Sequence, residues 1–176
     1  MKLTLASKIT LIRVALIPLI LILMYIPGNA AAIAAAIVFI VASVSDFFDG
    51  YIARKYDQVS TFGKFLDPLA DKFLVISVII VLAERGIFPG WAAFLVVARE
   101  LAVTSLRLFA VEKDRVIAAA KSGKIKTAFT MPALIVMMLP VSLPAWLITA
   151  LWVIILILTI YSGWEYFKNN ADVLKD

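Results

Sequence analysis

The chain has 176 residues, of which 64% are apolar, and its mean hydropathy is +1.02. Soluble domains are only about half apolar, so this composition excludes a soluble globular protein and predicts an integral membrane protein. The net charge is +5, and the absence of Cys and His excludes a thiolate nucleophile, an imidazole base, a disulfide and a Cys/His zinc site. No basic patch interleaved with aromatic residues indicates nucleic acid as a partner.

Six apolar runs follow one another along the chain. They cover residues 10–26, 30–53, 62–83, 91–111, 127–139 and 144–164. Most approach the ~20 residues that a helix needs to cross the hydrocarbon of a bilayer. The fifth run is short for a span unless its helix begins near Lys124. The sequence therefore predicts an all-α integral membrane protein with six transmembrane helices in a single domain, residues 1–176.

The N-terminal stretch LTLASKITLIRVALIPL mixes basic residues with apolar ones. It predicts a short amphipathic segment that enters the first span at the level of the headgroups. A cleaved secretory signal peptide is the alternative, because basic residues precede an apolar stretch and the small residues NAAAIAAA. Cleavage would leave five spans and disturb the even topology that the loop charges favour.

The segments between the apolar runs differ in charge. IPGN (26–29) and LPVSLP (139–144) carry no charged residue, and ERGIFPG (84–90) carries one Arg and one Glu. The other connections and both ends are basic, with Lys2, Lys8, Arg13, Arg54, Lys55, Lys64, Lys113, Arg115, Lys121, Lys124, Lys126, Lys168 and Lys175. The positive-inside bias places these basic segments in the cytoplasm. We therefore expect cytoplasmic termini in a multi-pass protein of the cell inner (cytoplasmic) membrane.

Two stripes of small and charged residues lie where the second and third runs meet their basic connection. At about 100° per residue, one stripe of the second helix contains Asp46, Asp49, Gly50, Ala53 and Arg54. Gly63, Asp67 and Asp71 follow the spacing i, i+4, i+8 and form one stripe of the third helix. Because the connection is short, we expect antiparallel neighbours with both stripes at the cytoplasmic end. Four carboxylates are thus predicted to converge.

Such a cluster of carboxylates requires compensation. At low dielectric the four groups repel, and an uncompensated one would take up a proton. Divalent cations are the natural partners, and oxygen ligands favour Mg²⁺ or Mn²⁺. The cluster can hold two ions about 3.5–4 Å apart, an arrangement that supports phosphoryl displacement. Gly50 and Ala53 leave a hollow for a phosphate-bearing ligand, and Arg54 can bind its phosphate oxygens.

Each of these residues has an ordinary explanation when it is taken alone. Small residues commonly serve helix packing in membranes, and a boundary aspartate can snorkel towards water. Arg54 can anchor the inner leaflet, and Ser60 with Thr61 can cap the third helix. Packing does not require the joint pattern Asp-x2-Asp-Gly-x2-Ala-Arg-x8-Gly-x3-Asp-x3-Asp, which fixes eight positions over 26 residues.

The stretch DFFDGYIAR…GKFLDPLAD resembles the signature of the CDP-alcohol phosphatidyltransferase family at every signature position. That family is six-helical with its site facing the cytoplasm, so the resemblance covers the length of the chain. Residues 98–131 resemble the branch whose acceptor is glycerol phosphate. One departure lies near the start, where the family often has N-x-x-T-x-x-R. This chain reads SKITLIR, with Ser7 in the Asn place and Thr10 and Arg13 kept, which affects only the nucleotide contacts of that segment.

The resemblance implies a metal-dependent enzyme that transfers the phosphatidyl group of CDP-diacylglycerol to an alcohol and releases CMP. It implies two divalent cations, Mg²⁺ or Mn²⁺, bound by Asp46, Asp49, Asp67 and Asp71, and makes Asp71 the catalytic base as well. The CDP-diacylglycerol site would include Ser7, Thr10, Gly50, Ala53, Arg54, Ser60 and Gly63. The acceptor would be sn-glycerol 3-phosphate, whose 1-hydroxyl attacks the β-phosphorus. The expected assembly is a homodimer among membrane lipids.

The acceptor's own phosphate requires a second cationic pocket. Arg99 and Arg107 lie within the fourth apolar run, about 80° apart on one helix face. We expect this pocket to contain Arg99, Arg107, Lys124 and Lys126. Pairing of Arg99 with Glu100 is the ordinary alternative, which is weakened because adjacent residues point apart on a helix. Lys121 in the same segment can equally be an anchor in the inner leaflet.

Two other classes of protein fit part of the pattern. An intramembrane prenyltransferase also binds magnesium diphosphate through aspartates of two helices, but without an Ala-Arg turn followed by Gly-x3-Asp-x3-Asp. A cation transporter also keeps acidic groups in the membrane, although its sites tend to lie near the midplane. Within the family, serine and inositol phosphate are the rival acceptors. The Arg and Lys residues of 99–126 favour a phosphorylated acceptor.

Overall fold

The computed structural model describes residues 5–56, 61–113, 115, 117 and 120–174, and the side chains of 10–45, 69–111, 113, 115, 117 and 120–173. The secondary structure of this part is entirely helical. Its six α-helices are α1 (Leu5–Tyr25), α2 (Asn29–Tyr56), α3 (Thr61–Glu84), α4 (Gly90–Glu112), α5 (Lys121–Met138) and α6 (Ala145–Asn169). A short 3-10 helix, Ala171–Leu174, follows α6.

Each α-helix covers one of the six predicted apolar runs, which confirms the all-α prediction. The fifth helix begins at Lys121 and reaches 18 residues, so it is longer than its apolar run alone suggests. The extended residues Pro89 and Pro144 directly precede α4 and α6. Proline suits this position because its fixed φ is compatible with a helix start and its missing N–H needs no partner there.

The N-terminal segment predicted to be amphipathic continues into the first span as part of one helix. α1 is one continuous helix from Leu5 onwards, with no break before the first apolar run. Thr10 and Arg13 are both 0% exposed, whereas Leu11 and Ile12 are exposed. A helix lying at the headgroups would turn its polar face to water. Thr10 and Arg13 are instead buried in the protein, where Arg13 has hydrogen-bond partners.

Two glycines allow the tight turns that follow α1 and α3. Gly28 has a φ of 116° and Gly86 a φ of 71°, and both lie in connections between helices. An L side chain is strained at such positive φ values, so glycine is the residue that these turns favour. The turn at Gly28 reverses the chain and lets α1 and α2 pack against each other.

The chain divides into two compact units. The first comprises residues 1–82 and 134–142, and the second comprises residues 83–133 and 143–176. In the first unit, α2 presents Ala35, Ala36 and Ala42, all 0–1% exposed, and such small residues permit close helix packing. In the second unit, α4 packs against α6. A cluster of Val103, Leu106, Ala110, Tyr166 and Val173 forms a core there.

Among the described residues, many large apolar side chains are exposed and several polar side chains are buried, which is the reverse of the usual pattern in a soluble protein. Large apolar side chains are exposed along the helices, among them Ile33, Ile37, Ile40, Val41 and Val44 of α2. Several polar side chains are buried instead: Thr10, Arg13, Glu100, Ser122, Lys126, Thr130, Thr159 and Ser162. Soluble monomers rarely expose apolar surface so continuously, which agrees with a lipid environment. By length and composition, α6 qualifies as a membrane span, and shorter apolar helices cover Thr10–Tyr25 and Asn29–Ser45.

Candidate active site

The signature residues lie on the two helices that the sequence predicts for them. Asp46, Asp49, Gly50, Ala53 and Arg54 belong to the last turns of α2. Gly63, Asp67 and Asp71 belong to α3, of which only Asp71 has a described side chain. Asp46 lies ten residues before the end of α2 and Asp71 ten residues after the start of α3. At about 1.5 Å per residue, both positions are about 15 Å along their helices from the connection.

Most of the predicted metal and nucleotide ligands lie outside the described side chains. This holds for Asp46, Asp49, Gly50, Ala53, Arg54, Gly63, Asp67 and Ser7, while Ser60 lies entirely outside the described residues. Thr10 is described and fully buried in α1. Convergence of the four carboxylates therefore stays a prediction. Asp71 supplies the carboxylate oxygens that suit Mg²⁺ or Mn²⁺, and its side chain is 35% exposed, so it remains accessible.

The carboxylate of Asp71 is bound by an arginine from another helix. Arg13 of α1 donates from Nη1 to Asp71 Oδ1 at 3.1 Å, and from Nε to the carbonyl oxygen of Ala42 at 3.2 Å. One guanidinium thus joins α1, α2 and α3. Ala42 lies four residues, or about one turn, before Asp46. Arg13 therefore contacts two parts of the signature region. One is the turn of α2 just before Asp46, the first signature aspartate, and the other is Asp71, the last one.

Arg13 is the residue of this site that sequence reasoning missed. The sequence indicates Arg13 only as a basic marker of topology before the first span, whereas the structure buries its side chain completely. The signal was present in the chain, because Thr10 and Arg13 are spaced i, i+3 and both occupy family positions in SKITLIR. Hydrophobic periodicity does not reveal such a residue, since a buried charge departs from the apolar pattern of its own helix.

A second polar cluster lies in the second unit around Glu100. Arg99 Nη1 donates to Glu100 Oε1 at 3.0 Å, and Lys126 of α5 donates to the same oxygen. Arg99 Nη2 also donates to Ser162 Oγ of α6 at 3.0 Å. The side chains of Arg99, Glu100 and Lys126 are only 10–13% exposed. The structure thus brings together two of the four cations predicted for the acceptor phosphate, with a carboxylate between them.

The pairing of Arg99 with Glu100 corrects the expectation that adjacent residues on a helix are poorly placed to meet. Helix geometry separates their Cβ directions, but it does not limit where two long, flexible side chains end. Arg99 bends back to Glu100 because Ser162 and Lys126 hold the other ends of the same cluster. Arg99 Nε is buried without a hydrogen-bond partner among the described residues. This N–H is therefore a buried donor whose hydrogen bond is not made within the described residues.

Two glycines lie beside the Arg99 side chain. A Cβ added at Gly163 of α6 would lie 3.0 Å from Arg99 Cγ, a tighter distance than most Cβ contacts in proteins. A Cβ added at Gly123 of α5 would lie 3.9 Å from Arg99 Nη2, an ordinary contact distance. Gly163 therefore leaves the space through which Arg99 reaches Ser162, whereas Gly123 is only a neighbour.

The other two predicted phosphate residues have different surroundings. Arg107 lies two turns beyond Arg99 on α4 and donates from Nε to the hydroxyl of Tyr166 at 2.9 Å. Tyr166 is 2% exposed and belongs to the apolar core of the second unit. Lys124 is exposed near the start of α5. The cationic pocket thus has a buried part at Arg99 and Lys126, and its two other predicted members lie elsewhere on the same helices.

The signature aspartates on α2 and α3 and the arginines on α4 indicate an enzyme that acts on phosphate-bearing substrates. Comparison with known proteins agrees with this class. The CDP-alcohol phosphatidyltransferase family matches residues 3–161. The chain belongs to the CDP-alcohol phosphatidyltransferase family. The family resemblance that the signature indicates is therefore confirmed.

Several known proteins resemble this chain along most of its length. The chain is 43% identical over 188 aligned residues to the CDP-diacylglycerol–glycerol-3-phosphate 3-phosphatidyltransferase of Bacillus subtilis (strain 168), with 97% of each chain covered. It is 40% identical over 172 residues to the protein of the same name from Rickettsia bellii (strain RML369-C), with 93% of each chain covered. It is also 38% identical over 178 residues to the probable phosphatidylglycerophosphate synthase of Mycobacterium tuberculosis (strain ATCC 25618 / H37Rv), covering 98% of this chain and 82% of that one.

Proposed function

We propose that this protein transfers the phosphatidyl group of CDP-diacylglycerol to sn-glycerol 3-phosphate, giving phosphatidylglycerophosphate and CMP. The names of relatives that align along nearly the whole chain support this activity. The observation that carries the proposal is the contact of Arg13 with both Asp71 and Ala42. It supports a site at which the two halves of the signature, on α2 and α3, act on one substrate.

In the proposed reaction, the Asp71 carboxylate accepts the proton of the acceptor's 1-hydroxyl. The hydroxyl oxygen forms a bond to the β-phosphorus of CDP-diacylglycerol, and the bond from this phosphorus to the bridging oxygen breaks. CMP leaves with that oxygen and with the electron pair of the broken bond. A carboxylate serves as general base when it lies within hydrogen-bond reach of the proton, and the 35% exposure of Asp71 permits such an approach.

Two divalent cations, Mg²⁺ or Mn²⁺, complete the proposed site. Asp46, Asp49, Asp67 and Asp71 would hold them. When bound, the cations would neutralise the charge of the diphosphate and of the leaving CMP. Around them, CDP-diacylglycerol would bind at Gly50, Ala53, Arg54 and Gly63, with Ser7, Thr10 and Ser60 on the nucleotide side.

The acceptor phosphate would bind at the cluster of Arg99 and Lys126, with Arg107 and Lys124 as further cations. Arg99 would offer its Nε–H, which has no partner among the described residues, and a guanidinium N–H binds phosphate oxygens strongly. Glu100 offsets one of the two buried positive charges, which makes their burial less costly in the absence of the acceptor. This pocket distinguishes a phosphorylated acceptor from serine.

The proposed environment follows from the same residues. The exposed apolar faces of the helices would contact membrane lipids, and the six helices would span the inner membrane as one domain with both termini in the cytoplasm. The active site would face the cytoplasm, where the water-soluble acceptor and CMP are exchanged. A homodimer is the proposed assembly.

The proposal predicts an absolute requirement for divalent cations. Purified protein in detergent, given CDP-diacylglycerol, sn-glycerol 3-phosphate and Mg²⁺ or Mn²⁺, should release CMP, and excess chelator should stop the release. Asp46→Asn, Asp49→Asn and Asp67→Asn should abolish turnover, because each removes a charged ligand. Arg115→Gln, at an exposed ion pair with Asp172, is the control and should retain activity. Full activity in chelator would refute the metal site.

A further inference from the structure

Arg13 and Asp71 form a pair with one buried end and one accessible end. The Arg13 side chain is 0% exposed, whereas the Asp71 side chain is 35% exposed. The guanidinium therefore lies behind the carboxylate, on the side away from solvent. The proposed reaction gives Arg13 no contact with substrate, yet the residue touches the group to which proton transfer is assigned.

The hydrogen bonds of Arg13 restrict its orientation. Its Nε–H is used by the backbone of α2 at Ala42, and its Nη1–H by Asp71 of α3. The guanidinium is planar, so fixing one N–H direction largely fixes the others. Because the first partner is a backbone carbonyl within a helix, the second N–H points at Asp71 from a rigid base. A flexible or fully solvated cation would not orient a carboxylate in this way.

The same contact compensates a charge that is costly to bury. An isolated charged group inside a protein is strongly destabilising unless it is paired, and removing one partner leaves the other uncompensated. Asp71 is an ionic partner of Arg13, across 58 positions of sequence. The pair therefore couples the folding of the first unit to the placement of the carboxylate.

We propose that Arg13 is a positioning residue, which holds the Asp71 carboxylate at a fixed place and orientation for the acceptor hydroxyl. This inference rests on the proposed role of Asp71 as the base. A displacement of about 1 Å in a reacting group can cost about a hundred-fold in rate. Loss of Arg13 should thus slow the chemical step, while the sites that bind the two substrates remain.

The kinetic test compares Arg13→Gln and Arg13→Lys with the wild-type protein. Arg13→Gln should lower kcat by about 10–100-fold while the KM values of both substrates stay within about threefold. Arg13→Lys should restore only part of kcat, because one ammonium does not reproduce the planar fork that reaches both partners. Arg115→Gln removes the same charge from an exposed ion pair and is the matched control, with unchanged kcat. An unchanged kcat in Arg13→Gln, or full activity in Arg13→Lys, would overturn the proposal.

Thermal unfolding in detergent tests the contact independently of turnover. Asp71→Asn alone should lower the unfolding midpoint by several degrees, because it removes an ionic partner of the buried Arg13 guanidinium. Arg13→Gln combined with Asp71→Asn should be more stable than the sum of the single shifts predicts. Additive shifts would contradict the contact. If Arg13→Gln does not fold, the kcat of Arg13→Lys, which keeps the charge, decides the matter, and wild-type kcat there would overturn the positioning role.

These outcomes also separate this inference from the proposed function. Wild-type protein that releases no CMP with sn-glycerol 3-phosphate would refute the transferase activity, and a positive coupling energy between Arg13 and Asp71 would still establish the contact. Conversely, if the wild-type protein transfers normally and Arg13→Gln has the same kcat, the proposed function is supported and the positioning role of Arg13 is refuted.

Discussion

Arg54, Arg99 and Arg107 carry the same charge, but we expect them to serve different anions. Arg54 lies in the signature near the end of α2, whereas Arg99 and Arg107 lie on α4. Arg99→Ala and Arg107→Ala should raise the KM for sn-glycerol 3-phosphate about 10–100-fold, since a charge-assisted hydrogen bond contributes about 1.5–3 kcal/mol. Their binding of CDP-diacylglycerol should be nearly unchanged.

Arg54→Ala should show the reverse pattern, with weaker CDP-diacylglycerol binding and little change in the KM of the acceptor. Steady-state kinetics with each substrate varied in turn measure both effects. Arg107→Lys should rescue Arg107→Ala only partly, because the ammonium lacks the planar fork. Unchanged acceptor kinetics in both Arg99→Ala and Arg107→Ala would remove the phosphate pocket from the account.

A single methyl group beside Arg99 provides a test that alters no charge. Gly163→Ala would bring a Cβ to 3.0 Å from Arg99 Cγ, so the arginine side chain that bonds Ser162 must give way by a few tenths of an ångström. We expect the KM of sn-glycerol 3-phosphate to rise about tenfold, the loss of roughly one hydrogen bond. Gly123→Ala makes the same chemical change with a Cβ 3.9 Å from Arg99 Nη2 and is the matched control. If the two substitutions raise the KM equally, the change in KM does not depend on the position of Arg99.

At the scale of single elements, the helices could be predicted from the sequence more fully than their side-chain contacts. Apolar runs broken by Gly, Pro and charged segments predict where a helix lies, because lipid requires every backbone group to be satisfied within the helix. The helix of the fifth run begins earlier than its apolar residues do, at Lys121, since backbone hydrogen bonds tolerate charged side chains at a helix start. Periodicity gives the direction of each Cβ, but the bend of Arg99 towards Glu100 depends on partners from α5 and α6.

Val173 of the 3-10 helix after α6 packs in the apolar core of the second unit. Val173 is 3% exposed and packs in the cluster with Val103, Leu106 and Tyr166, and Lys113 Nζ donates to its carbonyl at 3.4 Å. We expect Val173→Ala to lower the free energy of unfolding by about 1–3 kcal/mol, because it removes two buried methyl groups. Unfolding in detergent measures this change.

Asp172→Asn is the control for Val173→Ala, because Asp172 is its neighbour in the same 3-10 helix. The side-chain hydrogen bond from Arg115 holds the pKa of Asp172 below its ordinary value. A lowered carboxyl pKa contributes stability above the unfolded-state value and loses it as the pH falls through the folded value. Because the ion pair of Asp172 and Arg115 is exposed, salt screens this contribution, and the midpoint at neutral pH and physiological salt should not change. A loss as large as that of Val173→Ala would assign the stability to the ion pair instead.

For the whole molecule, composition and loop charges predict the membrane environment, and the signature predicts the family. These properties follow from residue types and spacing, which the chain displays directly. The contact between Arg13 and Asp71 does not follow in this way, because the two residues lie 58 positions apart and each has an ordinary explanation when taken alone. Such a pairing depends on the packing of three helices, which no local pattern encodes.

Acceptor selection is the measurement that tests the central claim most directly. Protein reconstituted in vesicles with CDP-diacylglycerol and Mg²⁺ receives an equimolar mixture of sn-glycerol 3-phosphate, inositol phosphate, serine and glycerol, and mass spectrometry identifies the lipid products. The account predicts phosphatidylglycerophosphate as the dominant product, formed at least about tenfold faster than phosphatidylglycerol, because glycerol lacks the phosphate that the cations bind. Phosphatidylserine or phosphatidylinositol phosphate as the main product, or equal use of glycerol, would contradict it.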